Sequence, residues 1–294
     1  MNKLQDPRKI YPAPPFEQQT QAWPGLASKM QPVPDNGEKT YVGSGKLTGR
    51  KALVTGGDSG IGRAAAIAFA REGADVAISY LPDEEVDAQE VKAVVEAAGQ
   101  KAVLLPGDIR CADWCKQLVA DTVADLGGLD ILVNNAARQK ACEKLTDISD
   151  DDFDWTIKTN IYAPFWITKA ALPHMPAGST IINTTSIVAT DPSEQLKDYA
   201  MTKAANLNFT QSLAKELIKQ GIRVNAVAPG PVWTPLQISG GQSEADYMKF
   251  GGDSLLERPG QPAELAHVYV YLASADSSDV TAQVYGVTSG KILF

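Results

Sequence analysis

From Lys51 onward the chain alternates short runs rich in Val, Ile and Leu with longer segments of helical pattern. The runs are Lys51-Ala-Leu-Val-Thr55, Asp75-Val-Ala-Ile-Ser79, Ala102-Val-Leu-Leu105, Asp130-Ile-Leu-Val133, Thr180-Ile-Ile-Asn183, Arg223-Val-Asn-Ala-Val227 and Gln283-Val-Tyr-Gly-Val287. A half-solvated strand alternates polar and apolar residues, so continuous apolar runs predict strands covered on both faces. Segments 60–73, 84–99, 112–126 and 199–220 are long enough to be helical crossovers between them. Strand, helix, strand, repeated, predicts an α/β fold with a doubly wound parallel sheet.

Residues 1–48 break this rhythm. Seven of the 18 prolines fall there (Pro7, Pro12, Pro14, Pro15, Pro24, Pro32, Pro34), with Gln-rich spacers and no apolar period. Proline removes a backbone donor and fixes φ, so this segment reads as an extended arm preceding a domain over 49–294. Tyr11, Phe16 and Trp23 do not suit a solvated tail; they predict an arm lying on the body or on a neighbouring subunit.

Composition narrows the partners. Hydrophobic residues make up 44% and charged residues 21% of the 294 positions, ordinary for a soluble protein with a real core. A net charge of −8 with no block of Lys or Arg speaks against nucleic acid or an anionic membrane. The N-terminus lacks an apolar signal region and no run reaches the length of a membrane span, so a cytoplasmic location is expected. Cys111, Cys115, Cys142, His174 and His267 form no repeated ligand pattern, and neither a metal site nor a disulfide is expected.

Two motifs carry chemistry. The first strand runs into Thr55-Gly-Gly-Asp-Ser-Gly-Ile-Gly62, followed by an Ala-rich helix. Gly56, Gly60 and Gly62 permit a tight turn and close approach of the backbone to a phosphate, and the helix start offers free N–H groups. The second motif is Tyr199 with Lys203 one helical turn on, thirteen residues after Ser186. A lysine ammonium at that spacing is expected to stabilise phenolate and lower the Tyr199 pKa.

The glycine loop, Asn134-Asn-Ala-Ala137, Asn160, Ser186, Tyr199-x-x-x-Lys203 and Pro229-Gly-Pro-Val-Trp-Thr234 together resemble the short-chain dehydrogenase/reductase family, over about residues 47–294. The loop spacing is that of the compact subclass. Within it the chain resembles uncharacterised bacterial oxidoreductases with a proline-rich N-terminal arm. The resemblance implies a Rossmann-like doubly wound seven-stranded parallel sheet in a single domain. It also implies an NAD- or NADP-dependent oxidoreductase interconverting an alcohol and an aldehyde or ketone by hydride transfer. By resemblance, Asn160, Ser186, Tyr199 and Lys203 form the catalytic set, with Tyr199 as general acid/base. Cofactor contacts fall on Gly56, Asp58, Ser59, Gly60, Ile61, Gly62, Asp108, Ile109, Asn135, Ala136, Tyr199, Lys203, Pro229, Gly230, Val232 and Thr234. Asp108 is expected at the adenine amino group, Lys203 at the nicotinamide ribose, and Asn160 on a backbone group and a water linking Lys203 to solvent. Ala137 stands where relatives usually carry Gly.

The end of the second strand, Ser79-Tyr-Leu-Pro-Asp-Glu-Glu85, offers neither an acid at the usual position nor a cation for a 2′-phosphate. With acids following and no cation nearby, the reading leans to NAD. Arg138, Gln139, Ile187, Val188, Gln195, Trp233 and residues 236–242 are expected to wall a pocket for a small carbonyl or alcohol substrate. Nothing in the sequence indicates a phosphate or acyl-carrier partner. A catalytically silent cofactor-binding redox sensor on the same scaffold is the alternative, and a dehydratase or epimerase a third reading. A silent relative is expected to lose Tyr199, Lys203 or Ser186, and all three are present. The apolar residues Ala204, Leu207, Phe209, Leu213 and Leu217 are too many for one helix face, and relatives bury this helix against another subunit, so a homotetramer is expected.

Overall fold

The computed structural model describes residues 4–293; residues 1–3 of the arm and residue 294 of the domain lie outside the described residues. β1 (Lys51–Thr55), β2 (Asp75–Tyr80) and β3 (Ala102–Pro106) are joined by α1 (Gly60–Arg71) and α2 (Glu85–Ala97). α3 (Ala112–Leu126) leads to β4 (Ile131–Asn134), and α4 (Asp150–Ile157) with α5 (Ala163–Ala171) leads to β5 (Thr180–Thr184). α6 (Lys197–Leu217) precedes β6 (Arg223–Pro229). α7 (Pro235–Ser239), α8 (Glu244–Met248) and α9 (Pro262–Ala273) precede β7 (Val284–Val287).

All seven strands are parallel in one sheet of order β3-β2-β1-β4-β5-β6-β7. The winding direction reverses between β1 and β4, where Ala52, Leu53 and Val54 face Ile131, Leu132 and Val133. Open parallel sheets form a crevice beyond the carboxyl ends of the strands at such a switch point, so topology alone fixes where a ligand sits. α1 and α9 cover one face of the sheet, and α3, α5 and α6 the other. In α1 the buried Ala64, Ala65, Ala66, Ala68 and Ala70 allow a close approach to the sheet that larger side chains would prevent.

Two runs expected to be covered on both faces are not. β3 alternates buried and partly exposed positions, and β7 is partly exposed along its length, because both are sheet edges with a neighbour on one side only. The helical stretch over α4 and α5 was not among the expected crossovers. Its two helices run together through a π-helical turn at Lys158–Tyr162, which holds Asn160. Such turns are frequent at functional sites.

Residues 4–48 contain no strand or α-helix, only a 3₁₀ turn at Ala27–Lys29, and they lie on the chain's own body. A proline-rich backbone without a ladder of its own must find hydrogen-bond partners elsewhere. The Trp233 indole donates to the Pro32 carbonyl (2.8 Å), Arg258 donates twice to the Pro7 carbonyl (2.7 and 2.9 Å), and Ala263 N donates to the Asp35 carbonyl (3.0 Å). Phe16 stacks on Trp233 with ring centroids 4.1 Å apart, and with Met30 and Ile238 they make a small separate core. Tyr11 donates to Asp35 (2.8 Å) beneath the Arg258 guanidinium. Among the described residues no helix is long and apolar enough to cross a membrane, and no cluster of His, Cys, Asp and Glu could hold a metal ion.

Candidate active site

The crevice at the switch point is a cleft of about 310 Å³, within the size range of small-ligand sites. Its floor is the turn between β1 and α1. Gly56 and Gly60 sit at φ +61° and +52°, in the left-handed region that favours glycine. A Cβ at Gly62 would lie 1.9 Å from the Gly56 carbonyl oxygen, so only glycine lets the helix begin there. Asn135 locks this turn: its Nδ2 donates to the Thr55 and Gly56 carbonyls (3.1 and 3.2 Å), while Asn135 N and Ala136 N donate to Thr55 Oγ1 (2.9 and 3.1 Å). No side chain caps the first turn of α1, although Ser59 is its N-cap. A glycine cradle closed to any Cβ, under an uncapped helix N-terminus, suits the diphosphate of a dinucleotide.

At one end of the cleft, β5 and α6 bring Ser186, Tyr199 and Lys203 together. Tyr199 and Lys203 lie on the buried side of α6, and Ser186 follows β5 directly. Lys203 is 2% exposed and its ammonium donates to the Thr184 carbonyl (2.7 Å), 5.4 Å from the Tyr199 ring centroid. The expectation that Lys203 lowers the phenol pKa is not met here. Burial pushes Tyr199 up to about 12, against a smaller lowering by the Ser186 hydroxyl. Burial likewise pulls Lys203 down to about 7. Desolvation disfavours the charged form of each, and neither gains a charged partner to offset it. Ser186 also accepts from Val188 N (3.3 Å), so its hydroxyl caps the turn Ile187–Ala189 while facing the phenol.

Asn160 does not line the cleft. Fully buried, it accepts from Arg138 N (2.8 Å) and donates to the Arg138 carbonyl (2.8 Å) and Thr202 Oγ1 (3.0 Å). It ties the segment after β4 to α6 one residue before Lys203. Arg138 and Trp233, expected on the pocket wall, are structural. Arg138 pairs with Asp152 (2.5 Å) and Trp233 carries the arm, and neither lines the cleft, nor does Gln195. Gln139, Ile187, Val188, Leu236, Gln237 and Gln242 do line it.

The opposite end is acidic, in keeping with the acids noted after β2. Glu84, last residue of the 3₁₀ turn Pro82–Glu84, folds back to the cleft and accepts from Leu81 N (2.8 Å). Asp58 is 1% exposed, and its Oδ2 has no hydrogen-bond partner. Burial first, and then repulsion among Asp58, Glu84 and Asp87, raises the pKa of both Asp58 and Glu84 above the ordinary carboxylate range. Arg63, nearby in α1, is committed to Glu38 and Glu90 (2.8 and 2.9 Å). Asp108 and Ile109 line the cleft beyond β3, as expected, but the Asp108 carboxylate is held by Arg110 (2.5–3.0 Å). Burial opposes its ionisation and the Arg110 hydrogen bonds outweigh that, keeping the carboxyl below its ordinary value. Arg110 in turn lies over the Trp155 ring (4.2 Å), whose other cationic neighbour is Arg138 (4.7 Å).

Of the remaining expected cofactor contacts, Gly56, Ser59, Ile61, Asn135, Ala136, Pro229, Gly230, Val232 and Thr234 line the cleft; Gly60 and Gly62 shape it from behind. Sequence reasoning missed Arg110 and Trp155, and also Trp23 and Pro24, which reach the cleft from the arm; of the acids it noted after β2, only Glu84 lines the cleft.

Fold and cleft thus define a dinucleotide-binding α/β oxidoreductase scaffold. The chain belongs to the short-chain dehydrogenase/reductase family. Residues 56–291 match a family model described as "Enoyl-(Acyl carrier protein) reductase". The chain is 56% identical over 293 residues to an uncharacterized oxidoreductase of Escherichia coli (strain K12), covering all of both chains. It is 43% identical over 285 residues to the glucose and ribitol dehydrogenase of Daucus carota, covering 95% of this chain and 97% of the other. A short chain dehydrogenase from Burkholderia cenocepacia J2315 in complex with NADP superimposes with TM-score 0.77 at 34% identity, over 83% of this chain and 98% of that one. A 3-ketoacyl-(acyl-carrier-protein) reductase from Brucella melitensis complexed with NADH gives TM-score 0.75 at 27% identity, over 83% and 98%.

Proposed function

We propose that the protein interconverts an alcohol and an aldehyde or ketone, using a nicotinamide dinucleotide, with Tyr199 as the proton donor and acceptor. The observation that carries this reading is the convergence of Tyr199, Ser186 and Lys203 on the cleft that contains the glycine cradle. The bound dinucleotide supplies or receives the hydride at the carbonyl carbon. Ser186 offers its hydroxyl to the carbonyl oxygen, and Tyr199 transfers its phenolic proton to that oxygen as charge develops there. Burial pushes the Tyr199 phenol up to about 12, so the hydroxyl holds its proton at neutral pH and can serve as the acid. Lys203, near 7, can pass a proton toward the phenol and donate to a ribose hydroxyl. Asn160 is a positioning residue that fixes α6 against the Arg138 backbone.

Between the two cofactors, the acidic end of the cleft favours NAD. A 2′-phosphate beside Glu84 and Asp58, with Arg63 already paired, finds no free cation and further opposes the ionisation of both acids. The Burkholderia relative holds NADP and the Brucella one NADH, so the fold accommodates either. A homotetramer is supported by exposed apolar side chains on the helical segments before β5 and β6, with Phe165 and Met201 each 50% exposed and Tyr162 45%. Leu213 and Leu217 of the apolar α6 set are buried within the chain, and Ala204 is exposed.

Initial rates with NADH and NADPH against aldehydes, ketones and an acyl thioester, and with the oxidised cofactors against alcohols, test the proposal. Turnover with a carbonyl and NADH supports it. Tight cofactor binding with no turnover on any substrate would favour the silent-sensor reading.

A further inference from the structure

The arm does more than cover the body. Residues 21–26 form a loop closed on itself, with Leu26 N donating to Gln21 Oε1 (2.8 Å) and Gln21 Nε2 donating to the Leu26 carbonyl (3.0 Å). Trp23 and Pro24, at its tip, line the cleft. The loop spans the two rims. On one rim Ser239 Oγ of α7 donates to the Pro24 carbonyl (2.9 Å), and Gly25 lies against Pro235 and Ser239 with no room to spare for a Cβ (3.2–3.3 Å). On the other rim Ala27 N and Ser28 N donate to the Asp87 carboxylate of α2 (2.6 and 3.3 Å). Phe16 before the loop and Met30 after it are anchored with Trp233 and Ile238. A loop fixed at both ends and on both rims presents its tip with little conformational freedom left to lose.

The tip presents a ring to the cleft, not a donor: the Trp23 indole Nε1 has no hydrogen-bond partner and no access to solvent, so it does not face the open cleft.

We infer that Trp23 is a dinucleotide-binding residue contributed from outside the Rossmann core: its ring and Pro24, held on both rims, cover the ribose–diphosphate portion of the ligand. The inference rests on reading the cleft as a dinucleotide site. The test is equilibrium titration and stopped-flow displacement of NADH and of ADP-ribose from the native protein, Trp23→Phe and Trp23→Ala. Trp23→Phe keeps a ring over the ligand and should bind both within about threefold of native. Trp23→Ala removes the cover and should weaken both by roughly tenfold and speed their release. Trp23→Ala, with native melting behaviour, binding both ligands within about twofold of native would overturn the inference. So would a loss confined to NADH, because ADP-ribose shares the contacted portion. Native protein that binds neither ligand would instead overturn the dinucleotide reading itself.

Discussion

The two ends of the cleft bury charge of opposite sign and handle it differently. At the catalytic end the buried cation, Lys203, donates to a main-chain carbonyl, and its neighbour Tyr199 is neutral. At the other end two acids, Asp58 and Glu84, face each other with an oxygen of Asp58 unpartnered. On the proposed function, one end donates the proton; at the other, burial and mutual repulsion hold both acids toward their neutral forms, and a 2′-phosphate would oppose their ionisation further.

Removing the Tyr199 hydroxyl should have the largest effect. Tyr199→Phe should lower turnover by roughly 10²- to 10⁴-fold with little change in cofactor dissociation constant, measured by steady-state rates and fluorescence titration. Retention of more than about a tenth of the activity would remove Tyr199 from the proton step. Reduction should fall as pH rises through about 7, where Lys203 loses the proton it passes toward the phenol, while oxidation should climb with pH, because it needs the phenolate that burial disfavours.

Deleting residues 1–40 asks whether the arm that bridges the two ends is structural. Loss of the Phe16 and Met30 burial should lower the melting temperature by on the order of 10 °C. The homotetramer should weaken and the cofactor should bind less tightly, because Trp23 is lost, while the chemical step at saturating cofactor persists. An unchanged mass by light scattering and an unchanged melting curve would make the arm a passive tail.

The acidic end predicts a smaller effect on selectivity. Native protein should bind NAD more tightly than NADP by about tenfold, roughly 1.4 kcal/mol, and Glu84→Gln should narrow that ratio. A native preference for NADP of that size would contradict the assignment of these acids to the 2′ position.

The smallest effects, on stability, should have opposite pH signs at the two ends. Lys203 has a folded pKa near 7 against 10.5 unfolded, so its burial penalty is full below pH 7 and fades as pH rises to 10.5. Lys203→Met should therefore gain most, relative to native, at or below neutral pH. Glu84 has its folded pKa raised, so its penalty is absent in acid and grows as pH rises above the ordinary carboxylate range. Glu84→Gln should gain most in alkali. Melting temperatures across pH check both, and parallel pH trends would refute the contrast.

The same contrast explains what was legible in the sequence. Tyr199, Lys203 and Ser186 were readable because one helical turn and one strand end set their relation, both local facts. The glycine loop was readable because only glycine satisfies Gly56 and Gly62. The acids after β2 were read as disfavouring a 2′-phosphate, but which of them reaches the cleft was not, because a 3₁₀ turn folds Glu84 back and no periodicity marks such a turn. Trp23 was expected to anchor the arm, yet its place in the cleft depends on contacts to Ser239 and Asp87, far away in the chain. Arg138 and Trp233 were misassigned to the pocket because adjacency to a motif does not say which way a side chain faces. The lysine effect on Tyr199 was misjudged because burial cannot be read from a spacing.

The most direct test follows the hydride. Reduced cofactor carrying deuterium at its transferable position is incubated with the native protein and a carbonyl found by the substrate panel, and the alcohol product is analysed by mass spectrometry. The account predicts that deuterium appears on the carbinol carbon and that Tyr199→Phe, with cofactor still bound, delivers it far more slowly. Bound cofactor that transfers no label to any carbonyl tested would contradict it.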